Sequence, residues 1–430
     1  MKNFINRISP QRQRGTVKGF CLLTLLGLTI FQVVLAEDSN TAPATIGLNL
    51  QKAEELALAG NPHIRAADDR AHAANKGVLP SLFPDDPQVM IDTTVPGMEM
   101  WQVEEKLGFP GKGIAKADLY GAVAKKMEAE ALDTRRSIVL QANLAYWDFY
   151  YREKEDTILQ EAQTRWKTLG GIVQSKELSG QWLSIKAVRT QMETANAINE
   201  LVTNSRALRI SQFNLNHLFS LPHFTAYVLD GEPELPPFGG QEEDWVNRAL
   251  LQSPEIAVYQ KAIEAQEARQ HMASLDYLPD FDVWLSGVRN PNGGGFSSTG
   301  YKLGISIPLF FPAKQSQEEG AATDELSAAR WDLKGKQDEV IHMTEDAYVG
   351  AESAWRILQL YDEGGLLKQV ERAWTGSQVA YRNEEMSLAD FIETYNTYLK
   401  TLTNYYQAKA DYGKALAQLQ YEADGKGEGK

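Results

Sequence analysis

The sequence carries the same motifs twice in the same order, and this duplication limits the folds that the chain can adopt. The first motifs of the two halves are 192 residues apart and the later ones 202 residues apart. The matching segments are Asn61-Pro62-His63-Ile64 with Ser253-Pro254-Glu255-Ile256, Pro87 with Pro279, Phe109-Pro110-Gly111-Lys112 with Phe311-Pro312-Ala313-Lys314, and Ala145-Tyr146 with Ala347-Tyr348. Two structural repeats are therefore predicted, at residues 37–230 and 241–423.

A linker between the repeats is expected at residues 231–240, which are too rich in Pro and Gly to continue a helix. Because the offset changes from 192 to 202, the second repeat has ten extra residues between its Pro279 and Phe311 landmarks. We expect the extra residues in the glycine-rich segment 290–295, as a longer hairpin loop that leaves the flanking strands unchanged.

Each repeat reads as helix, strand, strand, helix, and the helices dominate. The last helix has apolar and aromatic residues at alternating steps of four and three, a spacing typical of helices packed side by side as in a coiled coil. These residues are Phe391, Tyr395, Tyr398, Leu402, Tyr405, Tyr412, Leu416 and Leu419. An ordinary helical bundle core is the alternative interpretation.

Strand patterns occur in one place in each repeat, and hairpins are predicted near residues 88–108 and 280–310. Their apolar residues alternate with polar ones over about ten residues, as in barrel strands with one face toward lipid and one toward water. The apolar set is Val89, Ile91, Trp101, Val103, Leu107, Phe281, Val283, Leu285, Tyr301, Leu303, Ile305, Ile307 and Leu309. Glu105 interrupts this face; Trp101 and Trp284 are candidates for an interfacial aromatic girdle or for simple packing. Two hairpins packed on a soluble helical domain are the alternative.

After residue 36 no apolar run is long enough for a transmembrane helix, so membrane insertion would require strands. Four strands cannot close a membrane barrel, since the smallest single-chain barrels use about eight. Unpaired strand edges cannot lie in lipid. If the hairpins are in a membrane, several chains must therefore form one barrel.

Both termini read as segments outside the fold. Residues 1–36 resemble a secretory signal peptide with cleavage after Ala36, an uncleaved anchor being the alternative, and residues 424–430 are expected to be disordered. Removal of the signal leaves 38 Lys and Arg against 57 Asp and Glu, a formal net charge of about −19, and removes Cys21, the single cysteine. Such acidity argues against nucleic acid as a partner, and a chain without thiols suits an oxidising periplasm.

No catalytic or metal-binding arrangement stands out. The six histidines form no zinc-peptidase motif, and the glycine clusters do not precede helices as a phosphate-binding loop would. No enzyme activity, cofactor or metal site is therefore predicted.

The ordered motifs resemble the TolC-like outer-membrane efflux proteins. The resemblance rests on the duplicated layout, on the tyrosine-rich last helix and on three sets of residues: Asn61-Pro62; Pro87 and Pro279 ahead of strands; and Ile307-Pro308-Leu309-Phe310 closing the fourth strand. Phe109-Pro110-Gly111-Lys112 further resembles the branch that serves heavy-metal efflux pumps of the resistance-nodulation-division class.

The resemblance implies a mainly α fold with a small β part. Three chains would complete a 12-stranded β-barrel in the outer membrane, in contact with its lipid, and a long helical barrel in the periplasm. Segments 115–169 and 315–369 would span ~75 Å at ~1.5 Å per residue. The homotrimer would be a passive exit duct for metal cations or small toxic compounds, joined to an inner-membrane pump through a periplasmic adaptor protein.

The resemblance also implies helical turns at the periplasmic tip, near residues 176–181 and 382–387, with adaptor contacts at Gly180, Gln181, Glu384 and Ser387. Glu384 stands where the family usually has glycine. Asp390 and Glu393 resemble the acidic residues at the closed pore mouth, a solvated helix surface being the alternative. Two rival functions stay open: a duct for type I protein secretion and a periplasmic coiled-coil scaffold without a pore.

Overall fold

The computed structural model describes residues 45–94, 99–178, 184–290, 295–362 and 365–423. The predicted signal peptide, the C-terminal tail, and Gly180 and Gln181 lie outside these residues. The elements are β1 (Thr45–Leu48), α1 (Leu50–Gly60), α2 (Pro62–Ser81), β2 (Gln88–Asp92), β3 (Glu99–Leu107), α3 (Lys112–Leu178), α4 (Ser184–Phe219), β4 (Ala226–Leu229), α5 (Glu242–Gln252), α6 (Pro254–Leu275), β5 (Asp280–Asn290), β6 (Gly295–Ser306), α7 (Gln315–Asp362), α8 (Leu366–Arg382) and α9 (Leu388–Ala423).

The repeated X-Pro motif marks the start of α2 and of α6. Asn61 is the N-cap of α2, and its side-chain oxygen accepts a hydrogen bond from the His63 backbone N–H at 2.9 Å. Pro62 and Pro254 occupy the first helical position, where a missing N–H costs nothing. The Asn61 side-chain amide also donates to the Leu218 carbonyl at 3.0 Å, which ties the start of α2 to the end of α4.

The two hairpins join into one antiparallel sheet with the strand order β2-β3-β5-β6. Its register repeats the sequence duplication: Val89 pairs with Val103, and their repeat equivalents Phe281 and Ile305 pair with each other. The two repeats meet where β3 pairs with β5, with Leu107 opposite Phe281. The predicted fold class, a duplicated helix-strand-strand-helix unit with few strands, is confirmed.

The second hairpin has longer strands than the first, so the prediction of a longer loop between unchanged strands is wrong. β5 and β6 have 11 and 12 residues, whereas β2 and β3 have 5 and 9. Asn290 pairs with Gly295, so the first and last residues of the predicted loop belong to the paired strands. Backbone pairing needs no side chain, and it therefore continues into a segment whose composition reads as a turn.

The long helices differ between the repeats. α3 runs without interruption for 67 residues, about 100 Å at ~1.5 Å per residue. The corresponding α7 ends at Asp362, so the predicted continuation to Gln369 is wrong, and Gln369 belongs to α8. Gly365 precedes α8 with φ of 63°, a left-handed conformation that glycine adopts without steric cost and that does not continue a helix.

The core lies along α3 and α9. The middle of α3 packs with α1, α4, β1 and β4 around Trp147, Phe149 and Tyr150. The predicted α9 seam is buried in part: Tyr395, Tyr412 and Leu419 are at most 2% exposed. β1 pairs in parallel with β4, the strand that follows α4, and the paired residues are 181 positions apart in the sequence. No sequence pattern had indicated this pair.

Candidate functional site: the open sheet and the helical tip

The four-stranded sheet has one apolar and one polar face, because residues paired across strands point to the same side. On the apolar face Val89, Ile91, Tyr301 and Leu303 are each at least 68% exposed. The polar face carries Glu104, Lys106, Asp280, Asp282, Ser286, Lys302 and Ser306. The pattern read from the sequence therefore generates a two-sided sheet with a continuous exposed apolar surface.

Two Trp–Gly contacts stabilise the sheet, one on each face. Trp101 lies over Gly287 on the apolar face, where an added Cβ would come within 2.5 Å of the indole nitrogen. Trp284 lies over Gly304 on the polar face, where a Cβ would come within 2.6 Å of the ring. A girdle role for Trp284 is therefore wrong, because its side chain is on the polar face. Glu105 does lie on the apolar face, opposite Val283.

Lys112, the last residue of the Phe-Pro-Gly-Lys motif, joins the two repeats below the sheet. Its ammonium donates to Asp280 Oδ1 at 2.8 Å and to the Leu278 carbonyl at 3.0 Å, and it lies 3.8 Å from Asp276. The Phe109 backbone N–H also donates to Asp280 Oδ1, at 3.2 Å. Burial raises the pKa of Asp276, and the Lys112 charge partly offsets this effect.

The other motif residues surround this joint. Pro87 and Pro279 directly precede β2 and β5, and Gly111 adopts φ of 108° before α3 begins. Pro308, Leu309 and Phe310 follow β6 and, with Lys112 and Asp280, line a cavity of about 510 Å³. Leu309 and Phe310 are more than three-quarters exposed.

The second tip turn lies at residues 383–387, between α8 and α9. α8 ends in a Schellman motif: the Glu385 N–H donates to the Ala380 carbonyl at 2.9 Å and the Glu384 N–H to the Tyr381 carbonyl at 3.2 Å. Glu384 has φ of 65°, the left-handed conformation that this motif requires and that favours glycine. The departure noted in the sequence therefore coincides with a strained backbone position.

Asp390 and Glu393 lie in the first turns of α9, where Asp390 contributes to the helix start. The Ser387 hydroxyl donates to Asp390 Oδ2 at 2.7 Å, and the Asp390 N–H donates back to Ser387 Oγ at 3.2 Å. Ser387 is therefore the N-cap of α9, and the Asp390 carboxylate orients its hydroxyl. Both carboxylates are exposed. The sequence signature Ser-x-x-Asp at 387–390 was available and was not read as a helix start.

An aromatic cluster backs the tip turn. Trp374 packs on Tyr395 with ring centroids 4.4 Å apart, and Tyr381 stacks on Phe391 at 4.5 Å. A cavity of about 870 Å³ opens beside them between α3, α8 and the turn. The hydrophobic surface buried there fixes the direction in which α9 leaves the turn.

Glu232 in the linker connects α3 to α9, a contact that sequence reasoning missed. Its carboxylate accepts hydrogen bonds from Tyr150 at 2.7 Å, from Lys409 at 3.1 Å and from Lys154. Burial raises the pKa of Glu232, but these hydrogen bonds outweigh burial and lower it to about 2. The linker is thus held against one long helix from each repeat.

Within the described ranges no group of three or more His, Cys, Asp or Glu side chains is arranged to hold a metal ion. A search of the same residues finds no helix with the length and apolar character needed to span a membrane.

Comparison with solved structures identifies proteins of similar fold. The outer-membrane channel OprN superimposes with a TM-score of 0.72 at 14% identity, over 88% of this chain and 90% of that one. The Campylobacter jejuni outer-membrane channel CmeC gives 0.72 at 16% identity, over 87% and 85%. The chain has the fold of these channels. CusC, whose structures were studied for folding and transmembrane channel formation, gives 0.70 at 13%, over 91% and 96%. No protein-family model matches the sequence, and no curated protein is significantly similar to it.

Proposed function

We propose that this chain is one subunit of a homotrimeric outer-membrane channel that serves as the exit duct of a tripartite efflux system. The carrying observation is the open four-stranded sheet, whose apolar face is exposed and whose outer strands β2 and β6 each pair on one side only among the described residues. In lipid such edges need partners. Three copies would supply twelve strands, within the range of known barrels.

The duct would be passive and non-enzymatic, with energy and selection supplied by an inner-membrane pump of the resistance-nodulation-division class through a periplasmic adaptor. The helices below the sheet support this role, since α3 alone has the length to cross much of a periplasm. We place the adaptor contact at the helical tip, which includes Glu384 and Ser387 and, in the sequence, Gly180 and Gln181.

Metal cations or small toxic compounds are the proposed cargo. The heavy-metal assignment rests on the Phe109–Lys112 motif alone, because the likeness to CusC is no greater than that to OprN and CmeC. A deletion strain compared with its parent on copper, zinc, cobalt and dye gradients tests this cargo. Sensitivity to dyes without sensitivity to metals would contradict the metal assignment and leave the duct intact.

Fractionation tests the duct itself. We expect the protein in outer membranes, extractable only with detergent, with the mass of three copies by light scattering and with channel activity in planar bilayers. Release with the soluble periplasm as a monomer would favour a scaffold instead.

Asp390 and Glu393 are proposed to line the pore mouth, where a three-fold axis would gather carboxylates that favour cations. Because Asp390 also orients the N-cap residue Ser387, its replacement would disturb the start of α9. Glu393→Ala is therefore the cleaner variant: we expect altered single-channel conductance or weaker block by multivalent cations. Unchanged conductance and block would contradict the assignment.

A further inference from the structure

The contact between the two repeats is formed once inside the chain. β3 pairs with β5, which sets Glu104 opposite Trp284 and Leu107 opposite Phe281. Below that pair, Phe109 stacks on Phe281 with ring centroids 6.3 Å apart. Lys112 closes the joint on Asp280. Residues of the first repeat thus supply one side of this contact and residues of the second supply the other.

The repeat equivalents of both sides are exposed at opposite edges of the sheet. Leu309 and Phe311, equivalent to Leu107 and Phe109, are 76% and 52% exposed after β6. Val89, equivalent to Phe281, is 68% exposed on β2. Residues equivalent to both sides of the β3–β5 contact are therefore exposed in one chain. Those after β6 could contact those on β2 of a second chain in the same way.

The sequence offsets between the repeats can be used to infer a strand register, because they correctly give the β5–β6 register from the β2–β3 register. An offset of 192 carries Gln88 of β2 to Asp280 of β5, and an offset of 202 carries Glu104 of β3 to Ser306 of β6. Gln88 pairs with Glu104, and Asp280 pairs with Ser306. The pairing within the second hairpin is thus what the first hairpin and the two offsets require.

We propose that β6 of one copy pairs antiparallel with β2 of the next copy in the register that sets Ser306 opposite Asp92 and Leu309 opposite Val89. This inference rests on the proposed oligomeric channel and adds its residue-level contact. Ser306 and Asp92 are the equivalents of Glu104 and Trp284, which pair inside the chain. β2 would then lie opposite Ser306 and the four residues that follow it, so β6 would continue through Phe310, and Pro308 would donate no backbone hydrogen bond to this pairing.

The alternation of side chains supports this register. It places Val89 with Leu309 on the apolar face and Asp92 with Ser306 on the polar face, so both faces of the sheet continue across the copy boundary. A slip of one residue would turn one strand over and set apolar side chains on the polar face.

One substitution separates the internal joint from its proposed counterpart. Lys112 binds Asp280, but the equivalents are Lys314 and Gln88, so the contact between copies lacks this ion pair. Gln88→Asp would supply the missing carboxylate. We expect the oligomer of this variant to resist dissociation by heat or detergent better than the parent, and Lys314→Met to cancel the gain.

Cysteine cross-linking tests the register directly, because the only native cysteine, Cys21, can be replaced by serine. In membranes carrying Asp92→Cys with Ser306→Cys, oxidation is expected to convert most of the monomer to disulfide-linked dimers and trimers on non-reducing gels. The shifted control Met90→Cys with Ser306→Cys moves one thiol by two residues, about 7 Å along the strand, beyond disulfide reach. Each single-cysteine variant should stay monomeric.

Cross-linking of the shifted pair alone would overturn the register while leaving the oligomeric channel in place. Absence of cross-links in both pairs, with a trimeric mass by light scattering, would overturn pairing through β6 and β2. A monomeric mass in detergent would overturn the proposed channel together with this contact.

Discussion

The first and second repeats contact each other inside the chain, and the residues equivalent to that contact are exposed. The two regions differ in how closely their side chains are packed. Trp147 on α3 is 1% exposed and packs on Gly413 of α9, whereas its repeat equivalent Val349 on α7 is 53% exposed. Lys112 is ion-paired and its side chain is 16% exposed; the equivalent Lys314 is exposed. The chain thus completes one of two related contacts by itself, and the proposed contact between copies would complete the second. Four substitutions probe this difference, from the largest expected effect to the smallest.

Gly413→Ala should have the largest effect, because it disturbs the packing of α9 on α3. An added Cβ would overlap the indole of Trp147, which is buried and has no space to move. Alanine gains about 1 kcal/mol of helix propensity, but overpacking of a rigid site costs up to ~3 kcal/mol or more. We expect a net loss of ~2 kcal/mol in the free energy of unfolding, measured by urea titration in detergent.

The matched control is Gly335→Ala on α7, where an added Cβ meets nothing within 4 Å. This variant should be stabilised by up to ~1 kcal/mol. A loss of similar size in both variants would mean that the Trp147–Gly413 fit is not the cause.

Lys112→Met should weaken the joint below the sheet more than Lys314→Met does. It leaves Asp280 and the Leu278 carbonyl without their cation, and hydrogen bonds to charged groups contribute about 1.5–3 kcal/mol. Since Asp280 is 46% exposed, we expect a loss of about 1–2 kcal/mol after solvent screening. Lys314→Met should stay within about 0.5 kcal/mol of the parent. Equal losses would contradict the asymmetry.

The Glu232 contact should make the join between α3 and α9 sensitive to acid. Its pKa is about 2 in the folded chain against an ordinary value of 4.5, so its contribution is complete above about pH 5 and is lost as the pH falls toward 2. With the side chain 50% exposed, about 1 kcal/mol is at stake. Glu232→Gln should be less stable than the parent at pH 7 and lose less on acidification; parallel pH profiles would contradict this role.

Glu384→Gly should stabilise the second tip turn slightly. Relief of the left-handed conformation gains about 1–2 kcal/mol and the extra freedom of glycine in the unfolded chain returns part of it, so a net gain of ~0.5–1 kcal/mol is expected in thermal unfolding. Glu384→Ala removes the same side chain and keeps the strain. A gain in the alanine variant as well would point to the side chain and not to the backbone.

The sequence was sufficient for the architecture because the decisive signals are local and occur twice. Alternation at Val89, Ile91, Leu303 and Ile305 predicts strands, and the repeated X-Pro motif has a local cause in the helix start. The sheet faces follow from that alternation once the strands pair. Which face of the sheet is apolar was therefore readable without coordinates.

The features that were missed depend on residues far apart in the chain. β1 and β4 have four residues each and pair across 181 positions. A pattern of four residues is too short to specify its partner strand. Trp101 packs on Gly287 because β3 pairs with β5 in a register that neither strand reveals by itself. Glu232 gains its role from Lys154 and Lys409, which the fold brings to it from two helices.

The outer strands of the sheet also constrain how such a channel is made. A single copy in a bilayer would bring two rows of unpaired backbone N–H and C=O groups into hydrocarbon, at a cost of several kcal/mol per group. Insertion of separate subunits followed by lateral encounter is therefore the least favourable order of events. Biogenesis should begin with association at the membrane surface and depend on subunit concentration, so weak expression would leave uninserted chains exposed to periplasmic proteases.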